Sequence, residues 1–145
     1  MHSVRQRKIL MYIKDLKDCE EFITGDETKL RELLHPDKSD LKLRYSLAHA
    51  IVEQGKTSTA HKLKTSEVYY ILEGEGVMHI GDESEKVSAG QAIYIPPNTK
   101  QYIENTGDSP LNFYALLILH GKKKMRKFYE NSDKKSQTSR QRSNF

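Results

Sequence analysis

Between Tyr45 and Gly121 the chain alternates short apolar runs with glycine, proline and asparagine at close intervals. The stretch "RYSLAHAIVEQG" sets Tyr45, Leu47, His49 and Ile51 on one face and Ser46, Ala48, Ala50 and Val52 on the other. That is the two-residue period of a strand. "EVYYILEGEG" is a β-branched and aromatic run that stops at glycines, and "VMHIGDES" leads into a Gly-Asp turn. "EKVSAGQAIYIPPNT" holds two short strands around Gly90, "KQYIENTGD" is closed by Asn-Thr-Gly, and "LNFYALLILHG" is a longer apolar strand. Several short strands separated by turn residues predict an all-β sandwich or barrel.

The first forty residues are less regular. "MYIKDLKDCEEFI" reads as a strand and a turn. In "DETKLRELLHPDKSD", Leu30, Leu33 and Leu34 fit a helix, while Leu30, Glu32 and Leu34 fit one face of a strand. His35-Pro36 ends either element, because a residue before proline avoids the α region. An edge strand is expected here. Residues 1–20 are read as an N-terminal extension or edge segment, 21–120 as one barrel domain and 121–145 as a tail. A chain of 145 residues has room for one such domain.

Charge separates the tail from the domain. Residues 121–145 carry nine Lys/Arg against Glu130 and Asp133, a net +7; the whole chain is +4, so residues 1–120 carry −3. A basic tail can meet an anionic partner. Its Ser, Lys, Arg, Gln and Asn content instead fits a solvated, disordered terminus. Its few aromatics, Phe128, Tyr129 and Phe145, give little support for stacking on nucleic-acid bases. The single cysteine, Cys19, cannot form an internal disulfide, which agrees with a reducing, cytoplasmic setting. No apolar run approaches membrane-spanning length, and no membrane partner is expected.

Two spacings carry the candidate chemistry. From Gly55, five residues lead to His61, one more to Leu63, three more to Glu67 and six more to Gly74. From Gly90, five residues lead to Pro96, then come Asn98, Gln101 and Asn105 at intervals of one, two and three residues. The pair resembles the two motifs of the cupin superfamily, G-x5-H-x-H-x3,4-E-x6-G and G-x5-P-x-G-x2-H-x3-N. Leu63 stands where the first motif has its second histidine; Asn98 and Gln101 stand where the second has glycine and histidine. The resemblance covers roughly residues 45–120. It implies a double-stranded β-helix, the jelly roll of two antiparallel sheets. It also implies homodimers formed through outer sheet faces, which would cover Val68, Tyr70 and Leu72.

In cupins, three histidines and a carboxylate converge inside the barrel on Fe, Mn, Ni or Zn. The resemblance carries that set over as His61, Leu63, Glu67 and Gln101, of which leucine cannot ligate. A divalent transition metal would sit on His61, Glu67 and Gln101, with His49, mid-strand before the motif, as an added candidate. The alternative is a metal-free polar pocket in which His61 and Glu67 pair by a charge-assisted hydrogen bond that Gln101 extends. Tyr69 alternates with Glu67 and is expected to line the pocket beside Leu63, while His79 is expected on the outer surface. Two function classes follow. One is a metal-dependent enzyme on a small polar substrate, an isomerase or dioxygenase resembling mannose-6-phosphate isomerase-like cupins. The other is a non-catalytic small-molecule-binding or sensing module. Fold alone does not choose between them.

Overall fold

A computed structural model describes residues 11–25, 27–38 and 40–119. After a single 3-10 turn at Leu16–Asp18, capped by the Asp15 side chain, nine strands follow. They are β1 (Glu21–Ile23), β2 (Lys29–Leu34), β3 (Tyr45–Val52), β4 (Glu67–Glu73), β5 (Glu75–Ile80), β6 (Glu83–Ser88), β7 (Ala92–Ile95), β8 (Gln101–Asn105) and β9 (Leu111–Ile118). Six form one sheet in the order β1-β2-β3-β9-β4-β7, and three form a second in the order β6-β5-β8. All pairings are antiparallel. This is the all-β, two-sheet class that the strand pattern predicts, in the jelly-roll form that the cupin resemblance implies.

The core lies between the sheets. Ala50, Val52, Tyr69, Ile71, Ile95, Leu111 and Phe113 from the large sheet meet Met78, Val87 and Ile103 from the small one. Small and large side chains face each other across the ladder: Ala50 pairs with Phe113, whose ring centroid lies 4.5 Å from that of Tyr69. Such alternation fills the space between curved sheets without voids.

Turn chemistry closes the strands where expected. Gly74, Gly81 and Gly90 adopt positive φ, and so does Asn98 at 56°. Asparagine is among the few residues that tolerate the left-handed region, so Asn98 keeps the turn in the motif's glycine position. Asn105 is buried and ties two segments together. Its Nδ2 donates to the carbonyls of Val52 and Ser109, and its Oδ1 accepts from the Gly107 amide.

One detail departs from the sequence reading. The Leu30–Leu34 segment is a strand, but not an edge: β1 pairs along its outer side. His61 and Leu63 precede β4, which begins at Glu67. The basic tail, residues 1–10 and His120 fall outside the described residues.

Candidate functional site

The segment between β3 and β4 crosses from one sheet to the other. Leaving β3 in the large sheet, it runs along the free edge of β8 in the small one, through isolated antiparallel bridges Thr57↔Glu104 and His61↔Gln101. It then returns to the large sheet as β4. His61 and Gln101 exchange both backbone hydrogen bonds, at 3.0 and 2.8 Å. Directly opposed residues of an antiparallel pair project to the same side of the ladder, so His61 and Gln101 share a face.

Glu67 reaches the same interior from the opposite sheet. It opens β4 and pairs with Ile95 and Leu117 on its two sides. Its side chain crosses the gap to Gln101, whose Nε2 donates to Glu67 Oε1 at 2.8 Å. Tyr69, two residues along the same face, also hydrogen-bonds the Glu67 carboxyl. Glu67 is 4% exposed and Gln101 0%. Burial pushes the Glu67 carboxyl up to about 7, while the bonds from Gln101 and Tyr69 pull the other way. Leu63, in the second-histidine position, packs with Leu117 and Leu119 beside this pair. Gln101 Oε1 is buried with no hydrogen-bond partner.

His61 is half-buried, and its Nδ1 lies 2.8 Å from the Thr59 carbonyl oxygen. A carbonyl can only accept, so Nδ1 carries the proton and the lone pair belongs to Nε2. Expected as an arm of the same site, His61 therefore shares Gln101's face, whereas Gln101 and Tyr69 supply the bonds to Glu67.

His49 does not join them. Strand β3 turns Ser46, Ala48, Ala50 and Val52 inward, because its inner positions oppose Leu117, Ala115, Phe113 and Leu111. His49 is therefore on the outer face, buried edge-on against Tyr114 at 5.9 Å between ring centroids. Burial and the neighbouring Arg31 lower its pKa, with Glu73 opposing. Strand parity alone could not tell which face of "SLAHAIV" was inward; the large aromatics on β9 and β4 decide it.

The sequence reading missed one polar network. His79 is on the outer face of the small sheet, as expected, but it is not isolated. Its Nε2 lies 2.6 Å from Glu104 Oε1 and its Nδ1 2.8 Å from Ser84 Oγ, and its ring stacks on Tyr102 at 4.2 Å. The available signal was the Gly81-Asp82 turn, which folds Ser84 back opposite His79. Two open hollows lie away from the Glu67–Gln101 pair. One, of about 460 Å³, runs between β6 and β7 over Met78, Ile80, Val87 and Ile93. The other, of about 410 Å³, is flanked by Cys19, Glu32, His35 and Lys38.

The family assignment rests on this geometry and on known relatives. The Cupin domain family matches residues 48–118. A protein of Methanocaldococcus jannaschii, itself uncharacterized, is 48% identical over 91 residues, covering 62% of this chain and 72% of that protein. The chain belongs to the cupin superfamily. Within it, this cupin is related to oxalate-binding and decarboxylase-like proteins. The oxalate-binding protein of Thermotoga maritima is 33% identical over 94 residues, covering 64% of this chain and 77% of its own length. A solved structure described as a predicted oxalate decarboxylase of Thermotoga maritima superposes with a TM-score of 0.66 at 28% identity, covering 74% of this chain and 99% of that one.

The donor set does not fit the metal that the fold family implies. One imidazole, one buried carboxylate and one amide oxygen face the interior, and the fourth position is Leu63. Among the described residues no group of three or more His, Cys, Asp or Glu could hold a metal ion. The Gln101 amide already occupies one of the two Glu67 carboxylate oxygens.

Proposed function

We propose that this cupin binds a small polar molecule inside its barrel, directly and without a resident metal, as a binding or sensing module. The observation that carries this reading is the Glu67–Gln101 pair itself. Two polar side chains held almost wholly out of water cost stability unless fully satisfied, and apolar residues of similar volume would pack there more favourably. Their retention beside an unfilled acceptor, with His61 at the half-buried rim, is what a ligand site requires. The deciding experiment is elemental analysis of the purified protein together with calorimetric titration of Mn(II), Ni(II) and Zn(II). Stoichiometric metal, or submicromolar affinity for any of the three, would restore the metal-dependent isomerase or dioxygenase reading and remove this one.

The same proposal extends to assembly and location. The outer face of the large sheet is apolar, and a second copy of the chain is the partner it fits. Cys19, the single cysteine, agrees with a reducing cytoplasm. Among the described residues no helix is long and apolar enough to cross a membrane.

A further inference from the structure

The interior site has a charge character that its relatives' names do not suggest. The buried polar and charged side chains among the described residues are Thr28, His35, Ser46, His49, Thr65, Glu67, Gln101 and Asn105. None is Lys or Arg. His49 is on the outer face of the sheet, and His35 lies in the turn after β2. Among the described residues, the basic group that the ladder places on the site's face is the imidazole of His61, while the ionisable group at its floor is a carboxyl. An anion entering here would give up its hydration and lie against Glu67 with at most one imidazole for compensation. Burial of an unpaired charge of that kind is strongly unfavourable.

What the site does offer is uncharged hydrogen bonding. Gln101 is fully buried, its Nε2 is engaged by Glu67, and its Oε1 has no partner. A buried acceptor left unpaired costs about 1–3 kcal/mol, and a ligand hydroxyl or amide N–H would recover that. A hydroxyl both donates and accepts, so it also matches the amide turned about its last bond. Leu63 and Leu117 flank the pair and give the ligand an apolar wall. His61 is half-buried where its ladder partner Gln101 is closed off, which makes it the more accessible member of the pair.

Resting on the metal-free binding reading above, we infer that this cupin takes an uncharged small molecule bearing hydroxyl or amide groups, anchored on Gln101 Oε1, and rejects dicarboxylates such as oxalate. The test uses the full chain in buffer containing EDTA. Ligand-observed NMR and calorimetry would compare small uncharged polyols, sugars and amides with matched anions, including D-mannose against mannose 6-phosphate and ethylene glycol against oxalate. Uncharged members are expected to bind at least about tenfold more tightly than their charged counterparts, a difference of about 1.4 kcal/mol. Gln101→Met, which keeps the side chain's length and removes the amide, is expected to lose that binding while its circular dichroism remains that of the native protein. Tighter binding of oxalate or mannose 6-phosphate would overturn the ligand class and leave the binding-module reading standing. Binding of uncharged members that persists in a folded Gln101→Met protein would remove Gln101 as the anchor. If neither charged nor uncharged members bind, the binding-module reading fails and this inference with it. The matched panel is read on the natural protein, so it decides the ligand class even if the variant does not fold.

Discussion

Glu67 is the residue at which the site and the stability of the fold meet. Its ordinary value is 4.5, and burial raises it to about 7 in the folded chain. Between these two values the folded state holds a proton that the unfolded state has released. The stability tied to that proton is fully present below pH 4.5 and is lost as pH rises towards 7. At 1.36 kcal/mol per pH unit the whole effect is about 3 kcal/mol. Glu67→Gln cannot ionise and is expected to flatten this slope, so the variant gains on the natural protein between pH 5 and pH 8. Urea unfolding at several pH values checks this, and parallel slopes for the two proteins would show that Glu67 ionises as freely folded as unfolded.

Leu63 is the second informative residue. It is buried with Leu117 and Leu119, next to the Glu67 carboxyl. Leu63→His adds an imidazole to the interior and is expected to tighten Ni(II) or Zn(II) binding by at least about tenfold, roughly 1.4 kcal/mol. It should also lower stability, because a polar ring replaces a packed leucine. Calorimetry on both proteins measures the first effect and urea unfolding the second. Equal metal affinity in the two would mean that the missing histidine is not what keeps metal out.

At the scale of elements, the small sheet holds Gln101 in place through a close approach of β5 and β8. Gly76 faces the core at the bottom of this contact. A Cβ there would run into the Glu104 carbonyl oxygen and come within 3.1 Å of Leu111 Cδ2. The carbonyl belongs to the partner strand's backbone and cannot step aside without opening the ladder. Gly76→Ala is therefore expected to cost about 3 kcal/mol. Gly55 provides the contrast, with φ 74° and nothing within 4 Å of an added Cβ. Gly55→Ala should cost only the left-handed backbone strain, about 1–2 kcal/mol. Denaturant midpoints for the two variants give the comparison, and a Gly76→Ala protein as stable as Gly55→Ala would contradict the close approach.

The whole molecule leaves one sheet face unfinished. On the outside of the large sheet, Tyr70 is 45% and Tyr94 64% exposed, and Tyr45 and Ile118 are exposed beside them. The register makes these neighbours: Tyr70 pairs with Tyr114, Val68 with both Tyr94 and Leu116, and Tyr45 with Ile118. Covering each large side chain is worth about 1.5–3 kcal/mol, so the expected state is a homodimer joined on this face. Sedimentation velocity should find a dimer for the natural protein and a monomer for Tyr70→Lys. A natural protein that sediments as a monomer at every concentration sinks this expectation.

Periodicity and turn residues were enough to place β3 to β9 and the all-β class, because strand alternation and glycine, proline or asparagine stops are local properties. The motif spacings brought out His61, Leu63, Glu67 and Gln101 along the chain. Three things needed the assembled molecule. β2 is covered by β1 because pairing partners are chosen by distant packing, whereas the apolar pattern of "KLRELL" reports only that a strand exists. His49 turned outward because alternation defines two faces without saying which is inside. That choice came from fitting small β3 residues against Phe113 and Tyr69. The unsatisfied Gln101 Oε1 was equally invisible in sequence, since whether an amide oxygen finds a partner depends on what lies across the gap between two sheets. The residues that build the interior can thus be read along the chain, but the charge it tolerates follows only from which side chains the fold brings there.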